Sequence, residues 1–170
     1  MCWHLTDPGS LIFNNAFFFG RGWITTASFL VERAGADFVT GYQMFNRQPE
    51  KEALWERIRV EEAPNAPSRM GSMYLFESEA DADEAMTSWF ATQTRIKLQV
   101  LALSPPVTTL FRADSNWLNH SKGEWEEAAC QYWRGMMSSD PKVELLAHGR
   151  VFLPGWGHPP FGPMMPVPRS

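Results

Sequence analysis

The side chains that could do chemistry in this sequence are few in kind: four histidines and two cysteines among nineteen carboxylates and fifteen Lys and Arg. A metal centre would need several of Cys2, His4, His120, Cys130, His148 and His158 at ligand spacing, yet no Cys-x-x-Cys or His-x-x-x-His pair occurs. No metal is expected. A nucleophilic relay has no Gly-x-Ser-x-Gly elbow to sit on, and Cys130 falls on the apolar stripe of a helix, where a buried thiol is inert. Phosphate loops of the Gly-x-Gly-x-x-Gly or Gly-Lys-Ser/Thr kind are missing too. Three separated segments remain: His4-Leu5-Thr6, Tyr74-Leu75-Phe76-Glu77-Ser78, and Glu144 between Val143 and Leu145. By residue type alone, His4 reads as a structural histidine and Tyr74 and Phe76 as core aromatics. Glu144 is harder to dismiss, because a carboxylate among apolar neighbours needs partners or exposure.

The elements that must position these residues follow from pattern. Cys2 to Thr6 alternates and runs into Asp7-Pro8-Gly9, a short strand and a turn at a terminus of the mobile kind. Leu11 to Arg47 has apolar clusters without a clean period and reads as a long, partly ordered loop with short helical or extended pieces. A helix is predicted from Pro49, with acids at its start, Leu54, Trp55, Ile58 and Glu62 at helical spacing, and a stop at Pro64. Arg69 to Phe76 reads as a strand with Tyr74 and Phe76 on one face. Ser78 is placed to cap the next helix, with Asp81 completing a capping box and Ala82, Ala85, Met86, Trp89 and Phe90 forming one stripe. Ile96 to Leu103 alternates as a strand until Pro105-Pro106, and Val107 to Phe111 reads as another. Trp125 to Met136 has helical spacing, ending near Gly135. Val143 to Ala147 and Val151 to Leu153 flank His148-Gly149 as a hairpin with a tight turn. The class is α+β.

Composition bounds the rest. With 44% hydrophobic and 20% charged residues the chain can bury a core, and 170 residues suit one domain, placed at 1–153. Residues 154–170, rich in Pro and Gly, read as an arm or a disordered end. A net charge of −4 without long runs of like charge argues against a general phosphate-binding surface and mildly against a nucleic-acid partner. Two cysteines, no membrane-length apolar run and no secretory signal point to the cytoplasm.

The order of a His-x-Thr strand, an aromatic-x-Ser strand end before an Ala-rich helix, and a late acidic residue resembles the ADP-ribosyltransferase superfamily in its His-Tyr-Glu branch. The resemblance runs from residue 3 to about 153. It extends to small bacterial members, the rifampicin ADP-ribosyltransferases and an uncharacterised bacterial group with a segment like Ala66-Pro67-Ser68-Arg69. Tyr132-Trp133-x-Gly135 ahead of Val143-Glu144-Leu145 adds to it. The resemblance implies two small β-sheets around an NAD⁺ cleft with flanking helices. It implies that His4 bonds a ribose hydroxyl with Thr6 in support, and that Tyr74 or Phe76, next to Ser78, stacks on nicotinamide. Glu144 would grip the nicotinamide ribose and help the C1′ bond break. Arg69 could hold the pyrophosphate or that carboxylate, or cap the turn from Pro64 to Pro67 as a surface arginine.

The activity implied is transfer of ADP-ribose from NAD⁺ to an acceptor, whether protein, nucleic acid or small molecule, with release of nicotinamide and without a metal. Members of this kind act as toxins, in phage conflict or on antibiotics, and the segment from Leu11 to Arg47 is where the acceptor is expected to be read. A non-catalytic module that binds a protein partner on the same fold is the alternative. Hydrolysis of NAD⁺ without an acceptor is a third.

Overall fold

The computed structural model describes residues 1–34 and 48–160. Among the described residues six strands alternate irregularly with five helices: β1 (Cys2–Thr6), α1 (Leu11–Phe18), β2 (Trp23–Thr25), α2 (Ala27–Ala34), α3 (Pro49–Glu62), β3 (Met73–Leu75), α4 (Glu79–Ser88), β4 (Ile96–Ala102), β5 (Thr108–Asp114), α5 (Trp125–Trp133) and β6 (Val143–Phe152). Short 3-10 helices at Ser115–Asn119 and Lys122–Glu124 lead into α5. The α+β class expected from the pattern is what forms, as one open antiparallel sheet. No helix among the described residues is long and apolar enough to cross a membrane.

β6 organises the sheet. Its first half lies between β3 and β5, and its last residues lie between β2 and β4. A strand with partners on both edges and layers on both faces should be apolar almost throughout, and Glu144 to Ala147, Gly149 and Val151 are all buried. Alternation splits its side chains: Leu145, Ala147 and Val151 join Phe13 and Phe17 of α1, while Leu146 joins Trp55, Tyr132 and Trp133 of α3 and α5. Glu144, two residues from Leu146, therefore belongs to the α3 and α5 face.

The hairpin expected at His148-Gly149 does not form; β6 runs straight through. A two-residue turn of type I′ needs positive φ at both central residues, and here only Gly149, at φ 112°, has it. The glycine instead marks the point where β6 exchanges β5 for β4, with the Arg150 amide donating to the Val107 carbonyl at 2.9 Å. A Cβ at Gly149 would collide with that same carbonyl oxygen, besides lying in the left-handed region. Gly149→Ala is expected to cost about 2 kcal/mol or more. A denaturant midpoint equal to that of the unaltered chain would count against this account.

Other elements keep close to their sequence signals. Pro49 opens α3 with Glu50 and Glu52 in the first turn, and Trp55 and Ile58 are buried. Ser78 and Asp81 form the reciprocal capping box of α4, at 3.1 and 3.2 Å. β5 runs three residues beyond the expected Phe111. The strand expected from Arg69 shrinks to Met73–Leu75, because Arg69 to Ser72 fold into a turn closed by the Ser72 amide on the Ser68 carbonyl. The segment after Leu11 does hold short pieces, α1, β2 and α2, each too short to display a period; residues 35–47 lie outside the described residues. Cys2 is buried in β1 opposite Val100, not loose at a terminus, and Cys130 is only half-buried, not sealed in the core. Residues 154–160 continue as turns, and the rest of the expected arm lies outside the described residues.

Candidate functional site

β1 is fastened to the end of β3 by paired backbone hydrogen bonds between Trp3 and Phe76, at 2.8 and 2.9 Å. That link sets His4 beside Tyr74, 70 residues away in sequence, and the His4 Nδ1 lies 2.7 Å from the Tyr74 carbonyl. Between these strands, the end of α4 and the Ser115–Asn119 helix opens a cavity of about 440 Å³. His4 and Leu5 come from β1, and Tyr74, Leu75 and Phe76 from β3 and its extension. Trp89 and Phe90 close one side, Ser115, Leu118 and Asn119 another, and Arg69 and Glu144 supply charge. The volume is within the range of small-molecule pockets, and the mixture of aromatic walls with a few polar groups is their usual chemistry.

Five of the residues expected to act, His4, Arg69, Tyr74, Phe76 and Glu144, line this one cavity. Thr6 and Ser78 do not. The Thr6 hydroxyl turns to the Asp7 carbonyl at 3.4 Å, and the Ser78 hydroxyl is occupied by Asp81 in the helix cap.

Glu144 is buried, and one of its oxygens is committed. Tyr132 donates its hydroxyl to Oε1 at 2.5 Å, and the Arg69 guanidinium bonds the same oxygen. Arg69 also donates to the Tyr132 hydroxyl at 2.6 Å and sits 3.5 Å from the Glu52 carboxylate, so it lies between two buried acids. Lys51, next in line, is buried over Trp55 and donates to the Leu118 carbonyl; burial lowers its pKa and the nearby Glu52 charge opposes that. Alternating charge along Lys51, Glu52, Arg69 and Glu144 limits the desolvation cost of placing four ionisable groups together. Burial, reinforced by the Glu144 charge, holds the Tyr132 hydroxyl far above its ordinary pKa, so it remains a donor. Glu144 Oε2 takes no hydrogen bond among the described residues and is the oxygen left for a ligand.

Arg69 is thus a buried partner of Glu144 and not a surface cap of the Pro64 to Pro67 turn. Arg59 takes that second role, donating to the carbonyls of Pro64 and Ala66 at 3.3 and 2.8 Å.

His4 stacks on Phe13 at 4.7 Å, and burial lowers its pKa to about 4, partly offset by the bond to the Tyr74 carbonyl. At neutral pH the ring is uncharged. A carbonyl only accepts, so Nδ1 carries the proton and Nε2 is a free acceptor, suited to a hydroxyl donor. Because the folded pKa lies below the unfolded value of 6.5, the unfolded chain binds the extra proton first. This contribution to stability is complete above about pH 6.5 and is lost as pH falls toward 4. The ring is only half-buried, so the loss should be about 2 to 3 kcal/mol. His4→Gln should flatten the slope in that window, and an unchanged slope in pH-dependent denaturation would argue against it.

Tyr132, Glu52 and the wall formed by Ser115, Leu118 and Asn119 were not among the residues expected to act. Glu52 resembles any helix-start acid in sequence. Tyr132 left one signal, since a tyrosine on a buried stripe has a hydroxyl that must find a partner. Among the described residues, no group of three or more His, Cys, Asp or Glu is placed to hold a metal ion.

A family model described as protein of unknown function (DUF2441) matches residues 24–153. The chain belongs to this family. The DUF2441 match contains Arg69, Tyr74, Phe76, Tyr132 and Glu144, whereas His4 and β1 precede it. No curated protein matches the chain significantly.

Proposed function

We propose that the cavity binds NAD⁺ and that the protein transfers ADP-ribose to an acceptor, releasing nicotinamide. The observation that carries this reading is the convergence of His4, Tyr74, Phe76 and Glu144, from three distant segments, on one cavity where a Glu144 oxygen takes no hydrogen bond among the described residues.

The chemistry follows from the groups present. Cleavage of the bond between ribose C1′ and the nicotinamide nitrogen sends its electron pair to that nitrogen, and nicotinamide leaves neutral. The ribose becomes oxocarbenium-like, and Glu144 Oε2 would stabilise a charge that exists only near the transition state. An acceptor lone pair then forms the new bond to C1′, and the acceptor's proton is released. Neutral His4 would accept a bond from a ribose hydroxyl through Nε2, and Tyr74 or Phe76 would offer a ring face to nicotinamide. The aromatic walls would exclude water, which favours transfer over hydrolysis.

A second reading, a protein-binding module without catalysis, draws support from the exposed apolar face of α1 and its end, where Leu11 and Phe19 are 78% and 76% exposed. The deciding experiment measures nicotinamide release from NAD⁺ by the purified protein, with and without cell lysate. Release that rises with lysate, together with label left on an acceptor, supports transfer. Release without label identifies a hydrolase, and neither release nor NAD⁺ binding sinks the catalytic reading.

A further inference from the structure

A ligand with a diphosphate needs a cation whose charge is not already spent. The cavity's own arginine, Arg69, is held between Glu52 and Glu144. Of the cations on neighbouring elements, Lys97 bridges Glu79 and Asp83, Arg112 pairs with Glu77, and Lys142 with Glu84. Arg95 differs. Among the described residues it makes no ion pair, its Nε is buried without a hydrogen-bond partner, and one terminal nitrogen donates to the neutral Gln93 side chain. Its guanidinium lies 4.7 Å from the ring centroid of Phe90, a residue of the cavity wall.

We infer that Arg95, with the turn Thr92-Gln93-Thr94 before β4, forms the phosphate subsite of this cavity, and that its ligand is a nucleoside diphosphate ester. The inference deepens the NAD⁺ reading and rests on it for the nucleotide. Arg95 reaches the cavity through Phe90, whose ring its guanidinium overlies, and its charge adds to burial in holding down the His4 pKa. A guanidinium held over an aromatic ring keeps its charge, and its terminal N–H groups are the donors that a phosphate oxygen takes. Thr92 and Thr94 are exposed and carry hydroxyl donors on either side of Gln93. The division of labour is then chemical: Arg69 orients the carboxylate near the sugar, and Arg95 holds the anionic bridge.

ADP is the probe, titrated by calorimetry into the full chain at two salt concentrations. The unaltered protein should bind ADP more weakly at higher salt. Arg95→Gln should lose at least tenfold in affinity with an unchanged melting temperature, and Arg95→Lys should retain part of it. Equal ADP binding by the unaltered chain and Arg95→Gln, or no ADP binding at all, overturns the subsite. The two proposals fail separately. ADP binding that needs Arg95, without nicotinamide release from NAD⁺, keeps this site and removes the transferase. Turnover of NAD⁺ with an unaltered KM in Arg95→Gln keeps the transferase and removes this site.

Discussion

Arg69→Met is expected to lower the unfolding free energy by about 3 to 5 kcal/mol, the usual cost of removing one member of a buried ionic cluster. The substitution leaves Glu52 and Glu144, both buried, without the cation they share. Tyr132 can still donate to Glu144, but the guanidinium charge is gone from beside both acids. For a chain of this size the loss corresponds to a melting temperature lower by roughly 10 °C. Lysine should rescue poorly, since a single ammonium cannot reach two acids and a phenol together. Removing the acid as well should relieve part of the penalty, so Arg69→Met with Glu144→Leu should cost less than the sum of the separate changes. A loss under about 1 kcal/mol for Arg69→Met, or simple additivity, would show that the cluster is not coupled as described.

Glu144→Gln is expected to cut nicotinamide release by about 100- to 1000-fold while leaving the fold in place, the scale found when one charge-stabilising group is taken from a transition state. The amide keeps the size of the carboxylate and can still accept from Tyr132, so the neighbouring contacts at Oε1 persist. What disappears is the negative charge at the second oxygen. A ground-state complex should feel this less than the developing oxocarbenium, so the loss should appear in kcat more than in KM. Single-turnover nicotinamide release beside NAD⁺ affinity separates the two. Undiminished release by Glu144→Gln would remove Glu144 from the chemistry and leave the protein-binding reading ahead.

Much of the local structure was legible from residues that act over one turn or one strand. Pro49 with the acids behind it started α3, Ser78 with Asp81 capped α4, and the alternation after Ile96 made β4. These signals are short-range and survive without tertiary context. The reading failed where one local signal has two physical outcomes. Gly149 has the backbone freedom of a turn, yet it serves a change of partner inside a long strand, and only the pairing of β6 with β5 and then β4 distinguishes the two. Arg69 likewise had three roles open to it, and its neighbours in sequence could not choose among them.

The candidate site divides the same way. By residue type alone only Glu144 stood out, as a carboxylate among apolar residues; His4, Tyr74 and Phe76 were singled out by the order of their segments along the chain and its resemblance to ADP-ribosyltransferases. That these residues share one cavity, that Tyr132 and Arg69 hold Glu144 by a single oxygen, and that Arg95 meets no acid among the described residues are properties of contacts spanning up to 75 residues. Charge pairing and burial depend on distance in space, and distance in space between such segments is set by how the strands join, which no local pattern of residues encodes.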